Sequence, residues 1–134
     1  MFLKLIRRLG KNDRGASMVE FAIVAMLLFA LIFGIIEFGW IFNGYITLTS
    51  AAQEGARLAI VMKDFDQAAV EQKVKDHAKI FKEGNLQITV DPPLPTYGEE
   101  TKVQVIGDLE LLIGFPPLPN SISLSTSATM RQEQ

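Results

Sequence analysis

Cysteine is absent from the 134-residue chain, and histidine occurs once. The first absence excludes a disulfide framework, a thiolate metal cluster and a cysteine nucleophile. The single histidine, His77, has no second imidazole with which to form a metal triad or a catalytic pair. No serine lies in a hydrolase elbow, and no glycine-rich phosphate loop is present. Asp64, Asp66 and Asp91 lack the spacing and the glycine of a calcium loop and read as caps and turns. A surplus of one charge is missing too: 13 basic and 15 acidic side chains give a net charge of −2. Binding nucleic acid requires a clustered basic face, and the one basic cluster here is at the N-terminus, outside any plausible domain. No catalysis, cofactor, metal or nucleic-acid partner is therefore expected.

What the chain does contain is unevenly spread. Phe21 to Ile36 is a run of sixteen apolar or glycine residues, and from Phe21 through Phe42 only Glu37 carries a charge. At about 1.5 Å per residue those 22 positions make roughly 33 Å of helix, enough to cross a hydrocarbon core of about 30 Å. In the first 15 residues Lys4, Arg7, Arg8, Lys11 and Arg14 oppose Asp13 alone, a net +4 that leaves −6 for the rest. A basic flank before an apolar run predicts a cytoplasmic N-terminus and a C-terminal part outside the membrane. A cleaved secretory signal fits poorly, because the run exceeds the usual ~7 to 15 residues and no small-x-small site directly follows it. A buried soluble helix fits worse, since an all-round apolar helix needs a large surrounding core.

Beyond the run, residues 43–62 contain no proline, and Ile46, Leu48, Ala51, Ala52, Gly55, Ala56, Ala59 and Ile60 recur at helical spacing. The helix is therefore expected to continue out of the membrane. Ala51, Gly55 and Ala59, four apart, form a shallow face for close backbone approach, either to a partner or to the chain's own domain. Glu54 and Arg57 share a face and suit either a surface pair or, for Arg57, contacts to head carbonyls. Asp64 or Asp66 is expected to cap a second helix carrying Ala69 or Val70, Val74, Ala78 and Phe81, with Gly84-Asn85 ending it. Three alternating segments follow, around Leu86–Val90, Val103–Val105 and Ile122–Ala128, and read as strands with one buried face. DPPLPTYGEE and GFPPLPN read as the loops between them.

The expected fold is α+β: a long N-terminal helix over 16–62, membrane-spanning over about 21–42, and a head over 63–134 with a second helix and a small antiparallel sheet. About 75 residues form a marginal core alone. The emerging helix is the natural cover for the sheet, a lollipop arrangement.

The junction RGASMVEF sets Gly15 at the end of the basic leader and Glu20 at the edge of the apolar run. It resembles the prepilin pattern, in which a cut between Gly15 and Ala16 removes residues 1–15 and makes Glu20 the fifth mature residue. Four stretches, RGASMVEFAIV, GIIEFGWIF, LTSAAQEGARLAIV and SATMRQE, resemble the TadE-like minor pilins, or pseudopilins, of tight-adherence pili. Met26 stands where that family commonly has proline, and Trp40 where it has arginine.

The resemblance implies a non-enzymatic subunit of the bacterial inner membrane, matured by a prepilin peptidase and able to enter an extracellular pilus used for attachment. Its implied partners are related minor pilins, the major pilin and, indirectly, an assembly platform with its cytoplasmic ATPase. Glu20 then has two readings: a carboxylate meeting the helix dipole, or a partner for the amine of a neighbouring mature N-terminus. Glu37 lies about 24 Å along the helix from Phe21, and it either snorkels to the interface or pairs with a partner. The rival to the pilus reading is a permanently anchored membrane protein whose extracytoplasmic head binds a partner.

Overall fold

The computed structural model describes residues 13–93, 98–113 and 119–131, without the side chains of residues 13, 14 and 83. Residues 1–12 of the basic leader, residues 94–97 and 114–118 of the two proline-rich segments, and residues 132–134 lie outside the described residues. The chain divides into two compact units, Met1–Ile36 and Glu37–Gln134.

Helix α1, Asp13–Val61, runs 49 residues and crosses Met26 without a break. In the first unit its apolar side chains are exposed all round, Phe21, Ile23, Met26, Leu27 and Leu31 among them. Phe29 and Phe33, one turn apart, stack with ring centroids 6.3 Å apart. An exposed, all-apolar helix is unstable in water and suited to lipid, where the backbone satisfies its own hydrogen bonds and the side chains meet hydrocarbon.

The second unit is the α+β fold expected from the sequence. It contains residues 37–61 of α1, helix α2 (Gln67–His77), a single 3-10 turn (Glu83–Asn85) and strands β1 (Leu86–Asp91), β2 (Glu100–Glu110) and β3 (Ser121–Arg131). The strands form an antiparallel meander in the order β1-β2-β3. Register puts one parity on one face: Val90 opposes Val103, Val103 opposes Ala128, and Val105 opposes Thr126. These five side chains are buried, with Thr101 and Leu109 of β2 beside them. Ser121, Ser123, Ser125 and Ser127 alternate onto the exposed face, as period-two patterning requires.

The other side of the core comes from the helices. Gly44, Leu48, Ala51, Ala52, Gly55, Ala56 and Ala59 are all buried along one stripe of α1, the i, i+3, i+4 pattern of an amphipathic helix. Small residues permit close packing there. A Cβ built on Gly55 would lie 2.6 Å from Val74 Cγ2, so α2 has settled against bare backbone. A polar contact between α1 and β3 has the Thr49 and Thr126 hydroxyl oxygens 3.2 Å apart. Thr49 donates its only hydroxyl proton to the Tyr45 carbonyl at 2.8 Å, so Thr126 is the donor between the two threonines.

Of the two expected caps for α2, Asp66 is the one used: its Oδ1 accepts from the Ala68 N–H at 3.0 Å. Of the two candidates for the first core position, Val70 is fully buried and Ala69 half-buried. The expected end at Gly84-Asn85 is corrected, because α2 stops at His77 and Ala78 leaves helical geometry at φ −96°, ψ 35°. Ala78 and Phe81 are buried nonetheless. The turn takes Phe81 to Gly107 of β2, where a Cβ would lie 2.8 Å from the Phe81 ring. A helix continued through Phe81 would give up that contact, and burying an aromatic ring outweighs one more helical turn.

Candidate functional site

Gly15 and Ala16 lie in the first turns of α1 and are exposed. Glu20 follows on the same helix with its side chain also exposed. It stands about two turns beyond the helix start at Asp13, whereas the helix dipole acts mainly over the first turn, so the dipole reading of Glu20 needs a helix that begins at Ala16.

Glu37 is held within its own chain. One carboxylate oxygen accepts from the Leu112 backbone N–H at 2.9 Å, and the other accepts from the Ile113 N–H at 3.0 Å. One helical turn on, the Trp40 indole donates to the Glu110 carbonyl at 3.0 Å. Residues three apart share a helix face, so Glu37 and Trp40 together hold the segment Glu110–Ile113 that leaves β2. Leu111 completes the set by donating to the Asn120 carbonyl at 2.9 Å. Glu110 also meets Lys82 in an ion pair whose side chains are both mostly exposed, and such a pair contributes little.

Ala51, Gly55 and Ala59 are buried against α2 and the sheet within the second unit. Arg57 points away, exposed, with neither a pair to Glu54 nor a hydrogen bond to a head carbonyl among the described residues. The shallow face thus serves the chain's own fold, and Arg57 is left at the surface. Exposed His77 has Nδ1 3.0 Å from the Lys73 carbonyl. Among the described residues no three His, Asp or Glu side chains converge as a metal set.

Sequence reasoning missed the Glu37 and Trp40 contacts. The only local signal was two side chains with polar ends, three positions apart, at the close of an apolar run. Their partners lie 70 to 76 positions downstream.

Among the described residues one exposed helix is long and apolar enough to cross a membrane, and with the small α+β unit that follows it in the chain this is the makeup of a membrane-anchored protein. Residues 15–57 match the family model of the TadE-like proteins. The matched stretch takes in the junction, the apolar run, Glu37, Trp40 and the small residues up to Arg57. Together with the apolar helix it fits a membrane protein associated with tight-adherence pili. No curated protein and no solved structure matches the chain.

Proposed function

We propose that the chain is a minor pilin, or pseudopilin, of a tight-adherence type IV pilus, with a structural role in starting or capping the fibre. The observation that carries this reading is the family match, which begins at Gly15. In this reading residues 1–15 are a leader, a prepilin peptidase cuts between Gly15 and Ala16, and Glu20 becomes the fifth mature residue. The apolar helix stays on the mature protein, first as the anchor in the inner membrane and then as the element that packs among other pilins. The +4 leader stays cytoplasmic, and the α+β unit lies outside the membrane.

Exposure of Glu20 supports its role as the group that pairs with the mature amine of a neighbouring subunit. That pair would be made in a low-dielectric setting, where an isolated carboxylate is costly and a paired one is far less so. Exposed Arg57 is available to a second subunit, whereas Ala51, Gly55 and Ala59 are occupied by the chain's own core. The partners follow from the role: the peptidase, related minor pilins, the major pilin and, through them, an assembly platform with its ATPase.

The N-terminal residue of the protein recovered from its native host tests this reading. Ala16 at the N-terminus supports the pilin. An intact Met1 would replace it with a permanently anchored membrane protein whose outer domain binds a partner.

A further inference from the structure

We infer that the segment leaving β2 at Leu112 and Ile113 sits in the bilayer interface on the side of the membrane far from Phe21, and that Glu37 and Trp40 latch it there. The inference rests on the membrane span and not on the pilus assignment.

The level follows from helix geometry. From Phe21, Glu37 lies about 24 Å and Trp40 about 28 Å along α1, against a hydrocarbon core of about 30 Å. Glu37 and Trp40 therefore stand at the boundary where the core gives way to headgroups, the depth at which tryptophan is enriched. Glu110, Leu112 and Ile113 are hydrogen-bonded directly to these two side chains, so they share that depth. The membrane that receives the helix also meets this segment.

The chemistry of the segment suits the location. Leu112 is 58% exposed and Ile113 39% exposed, two large apolar side chains turned outward from a small unit. In sequence the stretch from Leu111 to Pro119 contains no charged residue. The opposite end of the sheet differs, with exposed Asp91, Glu99, Glu100 and Arg131. A second observation is independent of side-chain character. A segment outside regular strands ordinarily leaves its N–H groups to water, yet three in succession, of Leu111, Leu112 and Ile113, have partners within the protein. Internal satisfaction is what backbone must have where water is scarce. The same two bonds disperse the Glu37 charge, which explains how a carboxylate is accommodated at the end of an apolar span.

Because the chain has no cysteine, single labels are easily placed. The experiment uses full-length protein in vesicles of phosphatidylethanolamine and phosphatidylglycerol, dilute enough that copies are apart. Nitroxide labels go on Leu112→Cys, on Thr129→Cys as an exposed site toward the charged end of the sheet, and on Phe29→Cys as a site within the span. Collision with oxygen, which favours lipid, is compared with collision with a water-soluble nickel chelate. The expected oxygen-to-nickel ratio at Leu112 is several-fold above that at Thr129 and approaches that at Phe29. A ratio equal to that at Thr129 would overturn the inference, and a label shielded from both agents would show protein rather than lipid covering the site. Adding Glu37→Ala to Leu112→Cys is expected to lower the ratio toward the Thr129 value. An unchanged ratio would overturn the latch. Ile113→Cys serves as a second reporter should the Leu112 variant fold poorly.

Discussion

Gly55 passes Val74 so closely that a single methyl group at Gly55 would stand 2.6 Å from Val74 Cγ2. Real Cβ atoms do not sit that near another carbon. Val74 is fully buried in α2, and its branched side chain is held in one rotamer in a helix, so it cannot swing away. The two helices are therefore spaced by the absence of a side chain.

Gly55→Ala is expected to destabilise the second unit by about 1 to 3 kcal/mol, the usual penalty for overpacking a filled core. The substitution also gains about 1 kcal/mol of helix propensity, so a net loss isolates the steric cost. Gly39→Ala supplies the comparison, because nothing lies within 4 Å of a Cβ there and propensity alone should act. Thermal melts of both variants in detergent measure the difference. A Gly55→Ala protein as stable as Gly39→Ala would refute the close approach.

Truncation tests the helix stripe as a whole. A fragment of residues 43–134 retains Gly44, Leu48, Ala51, Ala52, Ala56 and Ala59, all buried beneath the sheet and α2. It should be soluble and unfold cooperatively. A fragment of residues 65–134 lacks that stripe and leaves Val103, Val105 and Leu109 without their cover. Such a unit is near the size where one core is marginal, so loss of a cooperative thermal transition is expected. Equal melting temperatures would show that the sheet is stable without α1.

Much of this core was legible in the sequence because its signals are local. The Ser121, Ser123, Ser125, Ser127 alternation marked the exposed face of β3, and the pair Asp64 and Asp66 placed the start of α2 to within two residues, with the structure selecting Asp66. Less of β2 was visible, since its buried face uses Thr101 and Gly107 beside Val103, Val105 and Leu109, and neither threonine nor glycine registers as an apolar position. The stop of α2 at His77 was hidden for a different reason. Ala78 and Phe81 keep helical spacing with Val74, and only the groove at Gly107, distant in sequence, takes Phe81 out of the helix. The Glu37 and Trp40 latch is likewise non-local, so periodicity could not show it.

Gly15→Ala should block maturation more than any other substitution in residues 1–15. A prepilin peptidase has to bring the backbone of the junction close to its catalytic groups, and a side chain at Gly15 would obstruct that approach. Expressed in the native host, the variant should migrate as the unprocessed form while the parent migrates as the processed one. Co-migration at the processed size would mean that Gly15 does not mark the junction.

Glu20→Gln separates the two roles open to this carboxylate. The amide keeps size and polarity but loses the charge that would pair with a mature amine on a neighbouring subunit. Processing after Gly15 should therefore proceed, while co-purification with pilin partners from solubilised membranes should fall. If Glu20 serves only the helix dipole, worth about 0.3 to 1 kcal/mol, recovery should stay close to that of the parent. Moving the charge sharpens the contrast, with Val19→Glu or Phe21→Glu placed in the Glu20→Gln background. A dipole tolerates a displacement within the first turns, because its field falls off along the axis and is indifferent to which side of the helix carries the charge. An ion pair does not, since one position is about 100° around the helix and turns the carboxylate away from its partner. The expected order of recovery is parent first, with Glu20→Gln and both shifted variants well below it and similar to one another. Full recovery by either shifted variant would assign Glu20 to the dipole and remove it from the subunit contact.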